Sequence, residues 1–429
     1  MTDHFQNIFN TSSGVDLRSQ IHSGKFIRPH YQGKSILNIM PSAARLFGLK
    51  DDFQHSGLEE NLLPPPGESP QNIILILLDA LAYHRLEKWL AEEKSLGWHQ
   101  LLEQGILSPL TSICPSTTCA AITSYWTDSA AIEHGVMGYE MWLKEFGVTA
   151  NMIEHKPITY RSRGGELSLA GFNPENFLPV NSITGRFADQ GIETHAFQHF
   201  AIINSGLSQM FMGGAERHPI ATAPDLWISI RELLESRPTS RKYIWAYWGQ
   251  LDGTSHLHGP DSERARAEFL GFSRAFDAHF LGKLDPALKK NTLVILTADH
   301  GQITTDPSAA EYDLANHPRF TEMLHLLPTG ENRLAYLHVK PGRIEEVKEY
   351  IEQTWPEKFA VVETEIALKA DLFGPGAAHP GIHDRLGELI VAAREDAFWW
   401  WGNKPNPLIG RHGGLSPDEM IVPFLASYL

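Results

Sequence analysis

Three continuous apolar runs in this chain each end in a carboxylate, and no other feature limits the fold as much. NIILILLDALAYHRLEKWLAEE carries the run Ile73–Leu78, then Asp79, then an amphipathic helical pattern. YIWAYWGQLD (243–252) ends in Asp252, with His256 four residues on in LDGTSHLHGP. NTLVILTADHG (291–301) ends in Asp299, His300 and Gly301. ILSPLTSIC (106–114) and GIETHAFQH (191–199) read as two further strands, and an Arg-, Ala- and Phe-rich helix is expected at 262–282. Apolar runs without alternation, separated by helices, predict an α/β fold with a mostly parallel central sheet covered on both faces. Such sheets bind ligands beyond the carboxyl ends of their strands, so three strands deliver carboxylates and imidazoles to one edge.

With 429 residues the chain can bury two or three domains, or one large domain with insertions. Its net charge of −15 argues against nucleic acid polymers and anionic membranes as general partners. An anionic small substrate stays open, because bound metal ions reverse the local sign. MTDHFQNIFNTSSGVDL has no basic start followed by an apolar stretch, so no leader peptide is expected. The run Ile73–Leu78 is far too short to span a bilayer. Cys114 and Cys119 form no CxxC and are expected to stay reduced, which fits a cytoplasmic protein.

Residues 1–70 read as an N-terminal extension packing on the core, closed by Pro64-Pro65-Pro66-Gly67. Residues 71–310 and 381–429 form the expected catalytic domain. Between them, RLAYLHVK, RIEEVKEYIEQTW, KFAVVETE and IALKADLF read as strand, helix, strand and helix, a small inserted, cap-like α+β subdomain over 311–380. LGELIVAARE (386–395) returns to a strand.

Singly, each polar residue at a strand end has an ordinary explanation as a helix cap or turn former. Together, Asp79, Asp252, His256, Asp299 and His300 converge on one edge, and His412 in GRHGGLSPDEM can supply a sixth group. Asp and His suit zinc or manganese. This many donors suggests two ions about 3.5–4 Å apart, as in two-metal phosphoryl-transfer sites. TSICPSTTCAAITSYWTD (111–128) then poses a choice. Thr117 and Thr118 either cap the helix that follows, or one of them is a nucleophile at a helix N-terminus, where free N–H groups and the dipole favour phosphate.

LLDAL, CPSTTCAAITSYWTDSAAIEHGVMGY, LDGTSHLHGP, TADHG and GRHGGLSPDEMIVPFL occur in the order found in the alkaline phosphatase superfamily. The chain most resembles its type I phosphodiesterase / nucleotide pyrophosphatase branch, over roughly 70–310 and 380–429. The resemblance implies an alkaline-phosphatase-like fold and one divalent ion on Asp79, Thr118, Asp299 and His300. A second ion would sit on Asp252, His256 and His412. Zinc is the first choice, and manganese or iron fits the same ligands. The family's nucleophilic threonine stands three residues after a proline, which makes Thr118 the nucleophile and leaves Thr117 in support. Ser129, in DSAA, is rejected because it follows the short helix rather than opening it. CPSTT lacks the Cys-x-Pro-x-Arg arrangement of sulfatases. Many members carry an Asn after the HG that contacts a phosphate oxygen, and here Tyr139 holds that place.

The resemblance therefore implies hydrolysis of a phosphodiester or pyrophosphate bond in a small phosphorylated substrate, such as a nucleotide, through a phosphothreonine. A phosphomonoesterase, phosphonate hydrolase or phosphomutase on the same scaffold is the alternative. A non-catalytic metal- or nucleotide-binding relative is the third reading. FWWWGN (398–403) reads as packing, His258 as a surface residue, and His379 and His383 as loop residues. HFAIINSGLSQMFMGGAE (199–216) reads as a loop near the site.

Overall fold

The structure is a computed structural model that describes residues 16–49, 53–64, 69–159 and 164–429. The leader reading falls on residues outside these, as does most of the proline boundary at 64–67.

The expected apolar runs are strands, and they lie at the centre. Every residue of Ile73–Leu78 is fully buried, as is Ile244–Ala246. From edge to edge the central sheet runs Ile106–Thr111, Ile421–Tyr428, Thr292–Thr297, Asn72–Leu78, Arg241–Trp248, Ile192–His199 and Glu216–Ile220. Asn72–Leu78 is parallel to both of its neighbours, and parallel pairing continues to Glu216–Ile220. Ile421–Tyr428 alone runs against the others, antiparallel to Thr292–Thr297 and to Ile106–Thr111. The strands ahead of Thr118, Asp79, Asp252 and Asp299 thus all point the same way. Their carboxyl ends share one edge, as the sequence predicts. The fold is α/β, built on a mostly parallel central sheet.

One boundary differs from the sequence reading. The strand expected to run to Asp252 stops at Trp248, and Asp252 lies in the first turn of the helix Gln250–His258. Helical spacing then stacks Asp252 and His256 on one face, one turn apart.

A second, antiparallel sheet lies beside the first. Its order is Phe359–Glu363, Leu389–Ala393, Leu334–Leu337, Thr329–Glu331, Glu140–Leu143, Val148–Asn151 and Lys156–Pro157. The expected strand and helix pattern over 333–373 is present as Leu334–Leu337, Ile344–Thr354, Phe359–Glu363 and Thr364–Lys369. The sheet also takes in 140–157, and 389–393 pairs there rather than with the central sheet. Trp399, Trp400 and Trp401 are buried in its own apolar core with Phe320, Trp355 and Phe359, so FWWWGN packs as expected. From the N-terminal segment, Ile27, Ile36, Leu37 and Met40 are buried in the main core. Among the described residues, no helix is long and apolar enough to cross a membrane.

Candidate active site

Thr118 is the first residue of the helix Thr118–Thr127, and Thr117 occupies the N-cap position with extended backbone angles. The Thr117 side chain makes no capping hydrogen bond. It turns instead to the carboxyl of Glu331 in the second sheet. The helix start therefore keeps main-chain N–H groups for an anion. The turn before it is tied down from two sides. Ser112 Oγ donates to the Asp299 carbonyl, and Ser116 Oγ to the Gly414 carbonyl at 2.7 Å.

Around Thr118 Oγ1 the structure gathers all six Asp and His residues that the sequence placed at the strand edge. His300 Nε2 is 3.1 Å from Thr118 Oγ1, 3.4 Å from Asp79 Oδ1 and 3.5 Å from Asp299 Oδ2. His256 Nε2 lies 3.3 Å from Asp252 Oδ2, and His412 Nε2 lies 3.9 Å from Asp252 Oδ1. The His300 and His412 rings stack at 3.8 Å, which joins the two halves of the cluster. Asp252 reaches both halves, since its carboxylate lies close to His256 and His412 and also to Asp79 and His300.

The three histidines are oriented alike. Nδ1–H donates to a main-chain carbonyl in each: Gly410 for His256 (2.8 Å), Gly301 for His300 (3.0 Å) and Ser116 for His412 (3.3 Å). That assignment of the ring protons leaves every Nε2 lone pair turned into the cluster, the arrangement of metal-ligating histidine. The carboxylates are held in the same manner, by one oxygen each. Asp79 Oδ2 accepts from the Tyr247 hydroxyl, and Asp299 Oδ1 from the main-chain N–H of His300 and Ala80. Asp79 Oδ1 and Asp299 Oδ2 are buried with no hydrogen-bond partner. Unpaired buried carboxylate oxygens are costly unless a cation meets them, so the donor set fits divalent ions.

Charge coupling agrees. Burial, then the neighbouring Asp299 and Asp252, raises the pKa of Asp79 well above the usual range. Burial also opposes charge on Asp252, but His256, His412 and His300 outweigh it and hold that carboxyl well down. His412 is pushed well below the ordinary histidine value by burial and by His300, so its imidazole is neutral and able to ligate.

Tyr139 stands to one side. Its hydroxyl accepts from Asn151 Nδ2 at 2.6 Å, and its main-chain N–H donates to Glu331 Oε1 at 2.7 Å. Glu331 is the residue that sequence reading missed: buried, accepting from the main-chain N–H of Tyr139 and lying beside the Thr117 side chain, with a carboxyl raised to about 7, chiefly by burial. Tyr247 and Gln302, which donate to Asp79 and Asp252, were also missed. Ser129 Oγ donates to the Thr127 carbonyl past the end of the helix, away from its N-terminus. His258 faces Arg264 near the surface and His383 pairs with Glu365. The segment expected as a loop at 199–216 contains the helix Gly206–Phe211, whose Phe211 stacks on Trp126, nine residues C-terminal to Thr117.

The model of the family described as type I phosphodiesterase / nucleotide pyrophosphatase matches residues 73–415. Human ectonucleotide pyrophosphatase/phosphodiesterase family member 7 is 30% identical over 157 residues, which cover 34% of this chain and 31% of that protein. The matched part thus spans about a third of the relative's length. Murine ectonucleotide pyrophosphatase / phosphodiesterase 5 shares the fold with a TM-score of 0.61 at 16% identity, covering 83% of this chain and 87% of that one. Phosphonoacetate hydrolase from Sinorhizobium meliloti, in complex with phosphonoformate, aligns with a TM-score of 0.60 at 17% identity, covering 83% and 90%.

Proposed function

We propose that this chain, which belongs to the type I phosphodiesterase / nucleotide pyrophosphatase family, hydrolyses phosphodiester or pyrophosphate bonds of a small substrate through a phosphothreonine at Thr118. One observation carries the reading: three histidines turn Nε2 toward three carboxylates, and Thr118 Oγ1 lies 3.1 Å from one of those nitrogens, at an uncapped helix start. Two divalent ions, zinc in the first place, on Asp79, Thr118, Asp299 and His300 and on Asp252, His256 and His412, supply Lewis acidity and lower the pKa of adjacent hydroxyl and water.

Thr118 Oγ1 forms its bond to phosphorus as the bond to the leaving oxygen breaks on the opposite side. The N–H groups of the first helical turn stabilise the phosphoryl oxygens as they gain charge. Water then attacks the phosphothreonine in line and restores the hydroxyl. Tyr247 and Gln302 hold Asp79 and Asp252 in place throughout. Tyr139, tied to Glu331 beside Thr117, lines the substrate's path.

Cleavage of a phosphonate is the second reading, because Tyr139 in place of the usual Asn sets this chain apart from the nucleotide pyrophosphatases it resembles. The fold does not separate the two, since phosphonoacetate hydrolase shares it as closely as the nucleotide pyrophosphatase does. We also propose the division of labour expected from the sequence. Residues 71–310 and 381–429 carry the catalysis and 1–70 pack on that core. Residues 311–380 act as a cap, within a sheet to which 140–157 and 389–393 contribute. Two buried, unpaired cysteines support a cytoplasmic setting.

The test is turnover of bis-p-nitrophenyl phosphate, nucleotide pyrophosphates, monoesters and phosphonates with defined metals. Thr118→Ala is expected to lose at least about 10³-fold in turnover of the preferred substrate, and a chelator to abolish the wild-type rate. Thr118→Ala at wild-type rate on that substrate contradicts the mechanism.

A further inference from the structure

A second group of imidazoles and carboxylates lies at the opposite end of the central sheet. His195 is in the strand Ile192–His199, and Glu216 and His218 are in the edge strand Glu216–Ile220. The two strands are parallel, with His195 beside Glu216 and Phe197 beside His218. Alternation places His195, Glu216 and His218 on one face of the sheet. Glu216 opens its strand, and His195 and His218 lie midway along theirs, so the group is set back from the carboxyl edge that holds Asp79 and Thr118.

His195 Nδ1 is 3.0 Å from His218 Nε2 and 3.5 Å from Glu216 Oε2, and His218 Nε2 is 3.7 Å from Glu216 Oε1. Ligands about 2.0–2.1 Å from a tetrahedral zinc ion are separated by about 3.3 Å, close to these three edges. The orientation of His195 is a second, independent indication. Its ring is buried, and Nε2–H donates to Glu193 Oε2 at 3.2 Å, which leaves the Nδ1 lone pair facing the other two donors. A carboxylate behind a histidine in this way is the usual support of a metal ligand. The His218 ring is held flat against Phe197, 4.3 Å away and 10° from parallel. Burial, followed for His218 by the neighbouring His195, lowers both histidines, so neither is charged at neutral pH.

Arg237 donates to Glu193 and Glu216 and steadies both carboxylates. The Lys242 ammonium is spent on the carbonyls of Arg237 and Ser240. Two carboxylates, the Arg237 guanidinium and the Lys242 ammonium leave the group with no net charge, so the donor atoms rather than a local excess of negative charge would hold a divalent cation. Glu216 is half exposed, so water can reach a fourth position.

We propose that His195, Glu216 and His218 form a third metal site, suited to zinc or a similar borderline cation, that fastens the edge strand Glu216–Ile220 to the sheet. The strand pairs on one side only, with Ile192–His199, so a bond across the pair holds a strand that otherwise has few ties. This site is independent of the catalytic reading, and the test separates the two.

Zinc content is measured on the tag-free full chain after equilibrium dialysis at buffered submicromolar free zinc. The variants are His218→Gln and Glu216→Gln, each made in wild type and in a background carrying Asp79→Asn, Asp252→Asn and His256→Gln. Each variant is expected to lower bound zinc by one equivalent in both backgrounds. His218→Gln is also expected to lose the zinc-dependent rise in Tm that the triple-substituted background retains. Turnover of the preferred substrate by His218→Gln stays at the wild-type rate. Equal zinc content with and without His218 in both backgrounds overturns the proposal and leaves the cluster as hydrogen bonds and ion pairs only. His218 and Glu216 are partly exposed on an edge strand, and circular dichroism confirms that the variants fold.

Discussion

At the residue scale, each Asp and His of the candidate site has one firm partner, and its other donor atom faces the cluster. Asp79 leans on Tyr247, Asp252 on Gln302, and each histidine on a main-chain carbonyl. Behind the helix that Thr118 opens, Asp128 shows the cost of burying a carboxylate whose partners only partly compensate it, the Arg186 guanidinium lying 3.4 Å from Oδ2. Its backbone is left-handed at φ 52, and its Oδ1 is buried with no partner. Burial, only partly offset by the Gln54 N–H, His55 and Arg186, raises its pKa from 3.8 to about 6. Between those values the folded chain keeps a proton that the unfolded chain has released, so stability falls as pH rises through this window. Asn tolerates the left-handed angles and carries no charge. Asp128→Asn should therefore raise stability at pH 7.5 by about 1–2 kcal/mol, with the gain gone below about pH 4, in chemical denaturation at both pH values. The six Asp and His residues at the strand edge were legible because five follow an apolar run or a glycine turn and His256 stands four residues after Asp252. Tyr247 and Glu331 were not, because a polar tip in a buried strand reads as core until its neighbours are known.

At the element scale, helical and strand periodicity carried the reading. The four-residue spacing of Asp252 and His256 was visible, but the end of the strand before them was misplaced by about one turn. Tyr247-Trp248-Gly249 continues the apolar pattern, and only the tertiary path shows that Gln250 opens a helix. The second sheet was partly legible. Strands 334–337 and 359–363 could be read locally, whereas the pairing of Glu140 with Gly330 is a contact across the sequence that no local pattern encodes. The two sheets are joined by a fully buried ion pair, Arg333 Nε to Glu419 Oε1 at 2.8 Å, with Nη2 to Oε2 at 3.0 Å. Glu419 also accepts from the main chain of Gly414 and Ser416, in the loop that carries His412. Breaking one side of such a pair strands the other charge. Arg333→Met should cost about 3–5 kcal/mol in urea denaturation. Arg333→Met with Glu419→Gln should recover part of that loss.

At the scale of the whole molecule, direction matters more than any single contact. Six strands of the central sheet point one way, so four of them can empty their ends into one site, and the second sheet closes over it through Glu331. The chain-wide order of motifs is what made the family legible, while the substrate was not, because no motif in the sequence encodes the shape of a substrate pocket. The account's central claim is that Thr118, and not water, makes the first bond to phosphorus. Hydrolysis of a phosphodiester made chiral at phosphorus with sulfur and oxygen isotopes tests it most directly. Two in-line displacements predict net retention of configuration, and net inversion would show a single attack by water and contradict the account.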